Sequence, residues 1–187
     1  MKKILLVITL SVFSVLGIHS QETSNSIKVN PAALWDGSDL LSYERAITKH
    51  SSLLLGAGIG GFKIGGLKYK SKGASLQYRY YFTKSMNKFY FGGLIHYQNG
   101  IVETGEAEVI NFFLTLLPIN QDINFDSLGT GLKTGYQLVN KDGLTLDLNL
   151  GISYMSFDYK EKSGLYTVEL QENGIIPTFG LGIGYLW

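Results

Sequence analysis

Leu144-Thr145-Leu146-Asp147-Leu148-Asn149-Leu150-Gly151-Ile152-Ser153-Tyr154-Met155 alternates large apolar side chains with small or polar ones without a break. Successive side chains of a β-strand point to opposite faces, so this stretch defines a strand with one apolar and one polar face. The closing residues repeat the pattern: Ile175, Pro177, Phe179, Leu181, Ile183, Tyr185 and Trp187 oppose Ile176, Thr178, Gly180, Gly182, Gly184 and Leu186. Leu128 to Leu138 alternates with Gly129, Gly131, Lys133, Gly135 and Gln137, and Ala74, Leu76, Tyr78, Tyr80 and Phe82 alternate with Ser75, Gln77, Arg79 and Tyr81. The same rule along the chain predicts eight strands, at about 27–34, 39–47, 52–60, 73–82, 89–99, 128–139, 144–156 and 174–187.

The predicted connections alternate in length. Thr48 to Ser51, Thr83 to Lys88 and Asn140 to Gly143 are turns, the last an Asn-Lys-Asp-Gly cluster suited to a hairpin. Longer links fall at 61–72, 100–127 and 157–173, and only Trp35 to Ser38 is short where a long link is expected. Such alternation is that of outer-membrane barrels, with long external loops and short periplasmic turns.

Composition narrows the class. The 187 residues carry 16 basic and 15 acidic side chains, a net charge of +1, which argues against a nucleic-acid partner. Zero cysteines exclude disulfides, thiolate metal sites and cysteine nucleophiles. Charged residues are 17%, against 23 glycines, 12 tyrosines and 10 phenylalanines, which suits neither disorder nor a helical enzyme. Lys2 and Lys3 precede the apolar run Ile4 to Ile18, too short for a spanning helix, so residues 1–20 read as a secretory signal peptide and 21–187 as one barrel domain.

A soluble barrel would turn its polar face to water. Here that face is mostly Gly, Ser, Thr, Asn and Gln, and its few charges suit a crowded interior. The apolar face is aromatic toward its ends, with Phe82, Phe89, Phe91, Tyr136, Tyr185 and Trp187 at one and Trp35, Tyr97 and Tyr154 at the other, as interfacial girdles require. The expected fold is therefore all-β: an eight-stranded antiparallel up-and-down transmembrane β-barrel with a filled polar interior.

Gly180-Leu-Gly-Ile-Gly-Tyr-Leu-Trp187 resembles the C-terminal assembly signal of outer-membrane proteins, with Gly182, Tyr185 and Trp187 in the matching places and Gly180 where a polar residue is usual. With the strand count, the chain resembles the small eight-stranded barrels of the OmpA/OmpX type. The segment Ser42-Tyr43-Glu44-Arg45 after Lys28-Val29-Asn30-Pro31 is similar to uncharacterised barrels of Bacteroidota. The resemblance implies a monomer in the outer membrane of a Gram-negative bacterium. It would be exported through the periplasm, inserted by the barrel assembly machinery, and surrounded by lipid and lipopolysaccharide, with an external protein partner as a further expectation.

Eight strands leave an interior only wide enough to be filled by side chains, which disfavours a diffusion pore. Strand parity turns Lys28, Glu44, Arg79, Lys133 and Asp147 inward, with Glu44, Arg79 and Asp147 at similar height, Lys28 slightly lower and Lys133 higher. Buried charges persist only when paired, so these five form an expected interior charge network, with Glu44 and Arg79 meeting across the barrel. Catalysis finds little support. His96 is the one histidine in the external half, without a placed acid or serine, and reads as an interior hydrogen-bonding residue; no spacing suggests a metal or a cofactor.

Lys63, Lys68, Lys70 and Lys72 in link 61–72 are candidates for lipopolysaccharide phosphate, or for pairing with Glu103, Glu106, Glu108, Asp122 and Asp126 in link 100–127. That acidic link also holds the apolar run Val109 to Ile119, readable as a rim helix, a strand extension or a partner patch. The expected role is structural, adhesive or surface-binding without catalysis. A narrow channel for ions or small solutes, or a lipid A-modifying enzyme, are the alternatives.

Overall fold

The computed structural model describes residues 24–64, 66–104, 123–163 and 166–187. Eight antiparallel strands close into an up-and-down barrel in chain order: β1 (Asn25–Val29), β2 (Leu41–Ala46), β3 (Ser51–Ile64), β4 (Leu67–Tyr81), β5 (Lys88–Thr104), β6 (Ile123–Val139), β7 (Leu144–Ser163) and β8 (Tyr166–Leu186). A short helix, α1 (Ala33–Asp36), links β1 to β2. Closure joins β1 to β8, with Ser26 opposite Leu186 and Val29 opposite Ile183. The Asn25 and Trp187 backbones exchange two hydrogen bonds of 2.9 Å at that seam.

The alternating sequence distributes the side chains as strand parity requires. The inward set is mostly polar and buried, including Ser26, Lys28, Glu44, Ser52, Gln77, Arg79, Gln137 and Asp147, with Leu54, Leu94 and Met155 among its apolar members. Outward positions are apolar and exposed: Leu144, Leu148, Leu150, Ile152 and Tyr154 on β7, and Ile175, Phe179, Ile183, Tyr185 and Trp187 on β8. This is the reverse of a water-soluble protein, in which buried positions are apolar.

The strands are longer than the hydrophobic alternation predicts. Links 61–72 and 157–173 are not loops but the upper halves of hairpins: the β3–β4 ladder runs to Ile64 opposite Leu67, and the β7–β8 ladder to Ser163 opposite Tyr166. The cause is local. Lys68, Lys70 and Lys72 continue the outward row of β4, and Asp158 and Lys160 that of β7, so the apolar period ends while the backbone ladder goes on. In 100–127 the ladder reaches Thr104 and resumes at Ile123; Val109 to Ile119, Glu106, Glu108 and Asp122 lie outside the described residues.

The first two strands are instead shorter than expected. β1 stops at Val29, before Asn30-Pro31, and the segment predicted as strand to residue 34 turns into α1. Gly37 ends the helix at φ 71°, where a side chain would be strained, and its N–H bonds the Ala33 carbonyl at 2.7 Å. The segment then lies against the inner face of β3. A Cβ on Gly60 would stand 2.5 Å from the Gly37 nitrogen and 2.6 Å from the Leu34 carbonyl oxygen, so the glycines of β3 are where the chain fits. From the inner faces of β4 and β5, the Ser71 hydroxyl and Gln98 Nε2 both donate to the Asp36 carbonyl, the latter at 2.7 Å.

The opposite end is sealed from below. The β4–β5 turn folds under the barrel through hydrogen bonds from Ser85 N to the Lys49 carbonyl (2.7 Å) and Ser85 Oγ to the Ser51 carbonyl (3.1 Å). Met86 adopts φ 63°, uncommon for a side-chain-bearing residue, and is fully buried against Tyr81, Tyr90 and Ala46. The left-handed backbone at Met86 is held in place by this packing.

Candidate functional site

Above the Met86 floor, four of the five expected interior charges converge. Lys28 Nζ from β1 lies 2.5 Å from Glu44 Oε2 and 2.8 Å from Asp147 Oδ2; Arg79 Nη1 lies 2.6 Å from the same Asp147 oxygen and 3.4 Å from Glu44 Oε2. All four side chains are at most 4% exposed. The expected meeting of Glu44 and Arg79 exists, but as the longest contact of the set. Each cation has a closer carboxylate, and Lys28, expected slightly below, stands in the middle. Two cations and two carboxylates sum to zero, which is how four charges remain in so dry a space.

Neutral groups complete the cluster. Gln137 Oε1 accepts from Lys28 at 2.8 Å and from Tyr81 Oη at 3.0 Å. Tyr81 Oη is also 2.7 Å from Glu44, Tyr90 Oη donates to Asp147 at 2.8 Å, and Ser52 Oγ donates to Glu44. Gln77 Oε1 accepts from Arg79 Nη2 at 3.1 Å, and the guanidinium sits 4.4 Å from the Tyr90 ring centre. Sequence reasoning placed Tyr81, Gln77 and Gln137 inward but gave them no part in the network, because parity shows a facing and not a height. Space for Lys28 comes from β8: a Cβ on Gly184 would meet the Ile27 carbonyl, and one on Gly182 would lie 3.5 Å from Lys28 Cδ.

Lys133 does not join this group. It faces a cavity of about 360 Å³ in the upper barrel, walled by α1, the inner faces of β5 to β7 and the edge of β8. It forms no hydrogen bond or ion pair among the described residues. Four buried polar atoms on the same walls also lack partners: Asp39 Oδ1, His96 Nε2, Ser153 Oγ and Thr178 Oγ1. His96 is interior, as expected, and its Nε2 has no hydrogen-bond partner among the described residues. The interior is filled in its lower half only, which corrects the expectation of a barrel filled throughout. A smaller space of about 20 Å³, lined by Lys133, Asp39, Arg79 and Asp147, lies between cavity and cluster and holds no more than about a single water.

The four candidate lysines sit on the outer wall. Lys63 and Lys68 oppose each other in the β3–β4 ladder, and Lys70 and Lys72 follow along β4, in the same outward row as Leu76 and Tyr78. Lys68 and Lys70 share Glu103 of β5 at 2.8 and 2.7 Å, so part of the expected pairing between the basic and acidic links is present. Hydrogen bonds from Lys68 and then Lys70 bring the Glu103 carboxyl down to about 2. Lys63 faces solvent, beside a like charge that costs stability unless an anion lies nearby. Of the terminal residues, Trp187 stacks on Tyr185 with ring centres 6.4 Å apart on the outer wall, while Gly182 is inward.

These features define an eight-stranded up-and-down β-barrel with a charged plug below and a polar-walled cavity above. The chain belongs to the family described as a protein of unknown function, DUF3575, which matches residues 5–187 and so takes in nearly the whole sequence. No curated protein matches the chain.

Proposed function

We propose that this is an outer-membrane β-barrel protein of a Gram-negative bacterium, exported by a signal peptide at residues 1–20. Its plugged barrel serves a structural, adhesive or surface-binding role and not catalysis. The observation that carries the reading is the inverted distribution of side chains, apolar and aromatic outside, charged and buried inside. From Leu144 to Tyr154 the outward row of β7 covers ten residue steps. At ~3.4 Å per residue and a tilt of ~40° it rises about 26 Å, the height of a lipid-facing apolar band.

Orientation follows from the hairpins. The short turns at 47–50, 82–87 and 140–143 belong on the periplasmic side and the tall β3–β4 and β7–β8 hairpins outside. Lys63, Lys68, Lys70 and Lys72 then stand just above the apolar row, at the level of lipopolysaccharide phosphates, and Lys63 and Lys72 are free of the Glu103 bridge. Tyr185 and Trp187, with Gly182, form the signal read by the barrel assembly machinery. The Lys28, Glu44, Arg79 and Asp147 cluster over the Met86 floor fills the lower barrel, which supports a plug over a channel, and the tall hairpins are where an external protein partner would bind.

Flotation with lipid vesicles, together with a mobility difference between folded and boiled protein on a gel, tests the reading. Folded protein that stays with the aqueous fraction refutes it. Discrete conductance steps in a planar bilayer would replace the plugged barrel by a narrow channel.

A further inference from the structure

The barrel wall has a gap beside the cavity. β1 pairs with β8 only as far as Val29 opposite Ile183, and β2 with β3 only as far as Leu41 opposite Ala57, whereas β3 and β8 continue to Ile64 and back to Tyr166. Trp187 and Leu181 turn their amides toward the β1 side, to the Asn25 carbonyl and Asn30 Oδ1, so by strand parity Phe179, Pro177 and Ile175 turn their edge to the same side. Among the described residues no strand lies there. An open ladder edge at membrane depth is costly, and Pro177 lowers that cost by having no N–H to leave unpaired. Pro177 lies opposite Ile152, within the outward apolar row. Phe179 faces outward and Thr178 inward, yet both line the cavity, so the cavity reaches around the free edge of β8 to the outside of the wall.

We propose that this cavity takes the headgroup of a single-chain zwitterionic amphiphile, a phosphate next to an ammonium on one alkyl chain, which enters sideways from the outer leaflet. Charge complementarity selects this class. Lys133 and Asp39 line the same space as groups of opposite charge, and among the described residues Lys133 has no ion-pair partner and the two form no ion pair with each other. Lys133 supplies the donor for the phosphate and the Asp39 carboxylate the negative pole for the ammonium, while the Ser153 and Thr178 hydroxyls, which lie against Gly131 and Gly151, add polar wall behind them. At about 360 Å³ the cavity stands at the small end of ligand pockets, room for a headgroup while the chain lies in the gap along Pro177 and Phe179.

Sideways access rests on the membrane reading above; binding in the cavity does not. Trp35 lines the cavity, and the sequence has 2 tryptophans, so Trp187→Phe leaves Trp35 as sole reporter. Brominated-chain lysophosphatidylethanolamine, titrated into this variant in neutral maltoside micelles, should quench Trp35 saturably. Half-saturation should fall at least tenfold below that of a monoacylglycerol with the same brominated chain. Lys133→Gln and Asp39→Asn should each raise it at least fivefold. Equal half-saturation for the two lipids, or quenching that grows linearly with mole fraction, overturns the proposal, and needs no variant beyond the reporter. A brominated fatty acid that binds as well, and more tightly in Asp39→Asn, would replace the zwitterion by a simple anion and also overturn it. Vesicle flotation is scored in parallel. Protein that floats without saturable quenching loses the cavity site alone, and protein that does not float loses the membrane reading and sideways access together.

Discussion

Replacing Arg79 by Gln tests the plug at its most connected residue. The wild-type cluster holds Lys28 and Arg79 against Glu44 and Asp147, a sum of zero; without the guanidinium, two carboxylates share Lys28 and the sum is −1. Also lost are the 2.6 Å bond to Asp147, the 3.1 Å bond to Gln77 and the stacking on Tyr90. Breaking a buried pair from one side costs about 3–5 kcal/mol, a factor of ~10² to 10³·⁵ in the unfolding equilibrium. Urea unfolding of refolded protein in micelles measures it. Glu44→Gln should cost less than Arg79→Gln, because Lys28 keeps Asp147 and Arg79 keeps its shortest contact. Adding Asp147→Asn to Arg79→Gln returns the sum to zero and should recover part of the loss, with a coupling of about 0.5–3 kcal/mol. That coupling should exceed the one between Arg79→Gln and Glu44→Gln, since the distances are 2.6 and 3.4 Å. Strict additivity in the Arg79 and Asp147 pair would refute the reasoning, and a steady conductance in a stable Arg79→Gln barrel would make the charges a gate.

Further outcomes follow from other parts of the molecule. Gly60→Leu should expel α1 from the barrel mouth, read as new protease cleavage between residues 32 and 38 while the folded gel mobility is kept, because even a Cβ there meets the Gly37 nitrogen at 2.5 Å. Deleting Trp187, or changing Tyr185 and Trp187 to Ser, should lower the inserted amount on cells; unchanged levels would remove the assembly-signal assignment. Epitope tags at residues 65–66 or 164–165 should be labelled on intact cells and tags after Lys84 or Lys141 only after permeabilisation; the opposite pattern would invert the orientation. The Glu103 carboxyl, held at about 2 instead of the ordinary 4.5, should keep its lysine bridges well into acid. Their stabilising effect is complete above the ordinary value and is lost as pH falls through about 2, so a carbon-13 titration midpoint near 4.5 would show the bridges absent.

The alternation of apolar and polar residues sufficed for strand number, order and facing, because each strand with an apolar outer row repeats one rule and a one-residue slip would turn a whole row around. It failed above that height for a physical reason. Lys68, Lys70 and Lys72 occupy the same backbone row as Leu76 and Tyr78, and only the side-chain polarity changes, so the hydropathy pattern ends where the ladder does not. The interior cluster was half legible. Parity placed Glu44, Arg79 and Asp147 correctly, but their partners depend on stagger between strands far apart in sequence. Thus Lys28 and Asp147, 119 residues apart, are close partners that counting along strands places at different levels.

The cavity was not legible at all, and the reason lies in β1 and β2. Asn30-Pro31 ends the first strand after five residues, and the chain returns by α1 instead of a hairpin. That return needs an inner wall without side chains, which Gly58 and Gly60 supply; read along the sequence, those same glycines mark only an interior where bulk does not fit. One short detour therefore has two effects at once. It roofs part of the barrel mouth, with the Asp36 carbonyl held by Ser71 and Gln98, and it leaves the upper edge of β8 without a strand partner among the described residues. A regular hairpin in its place would have paired that edge and closed the wall. The unpartnered atoms of Asp39, His96, Ser153 and Thr178 border this irregularity, while Ser26 Oγ and Gln137 Nε2 lack partners in the plug beneath, where all eight strands are paired. The part of the barrel that can accept a ligand is thus set by the two strands that stop early.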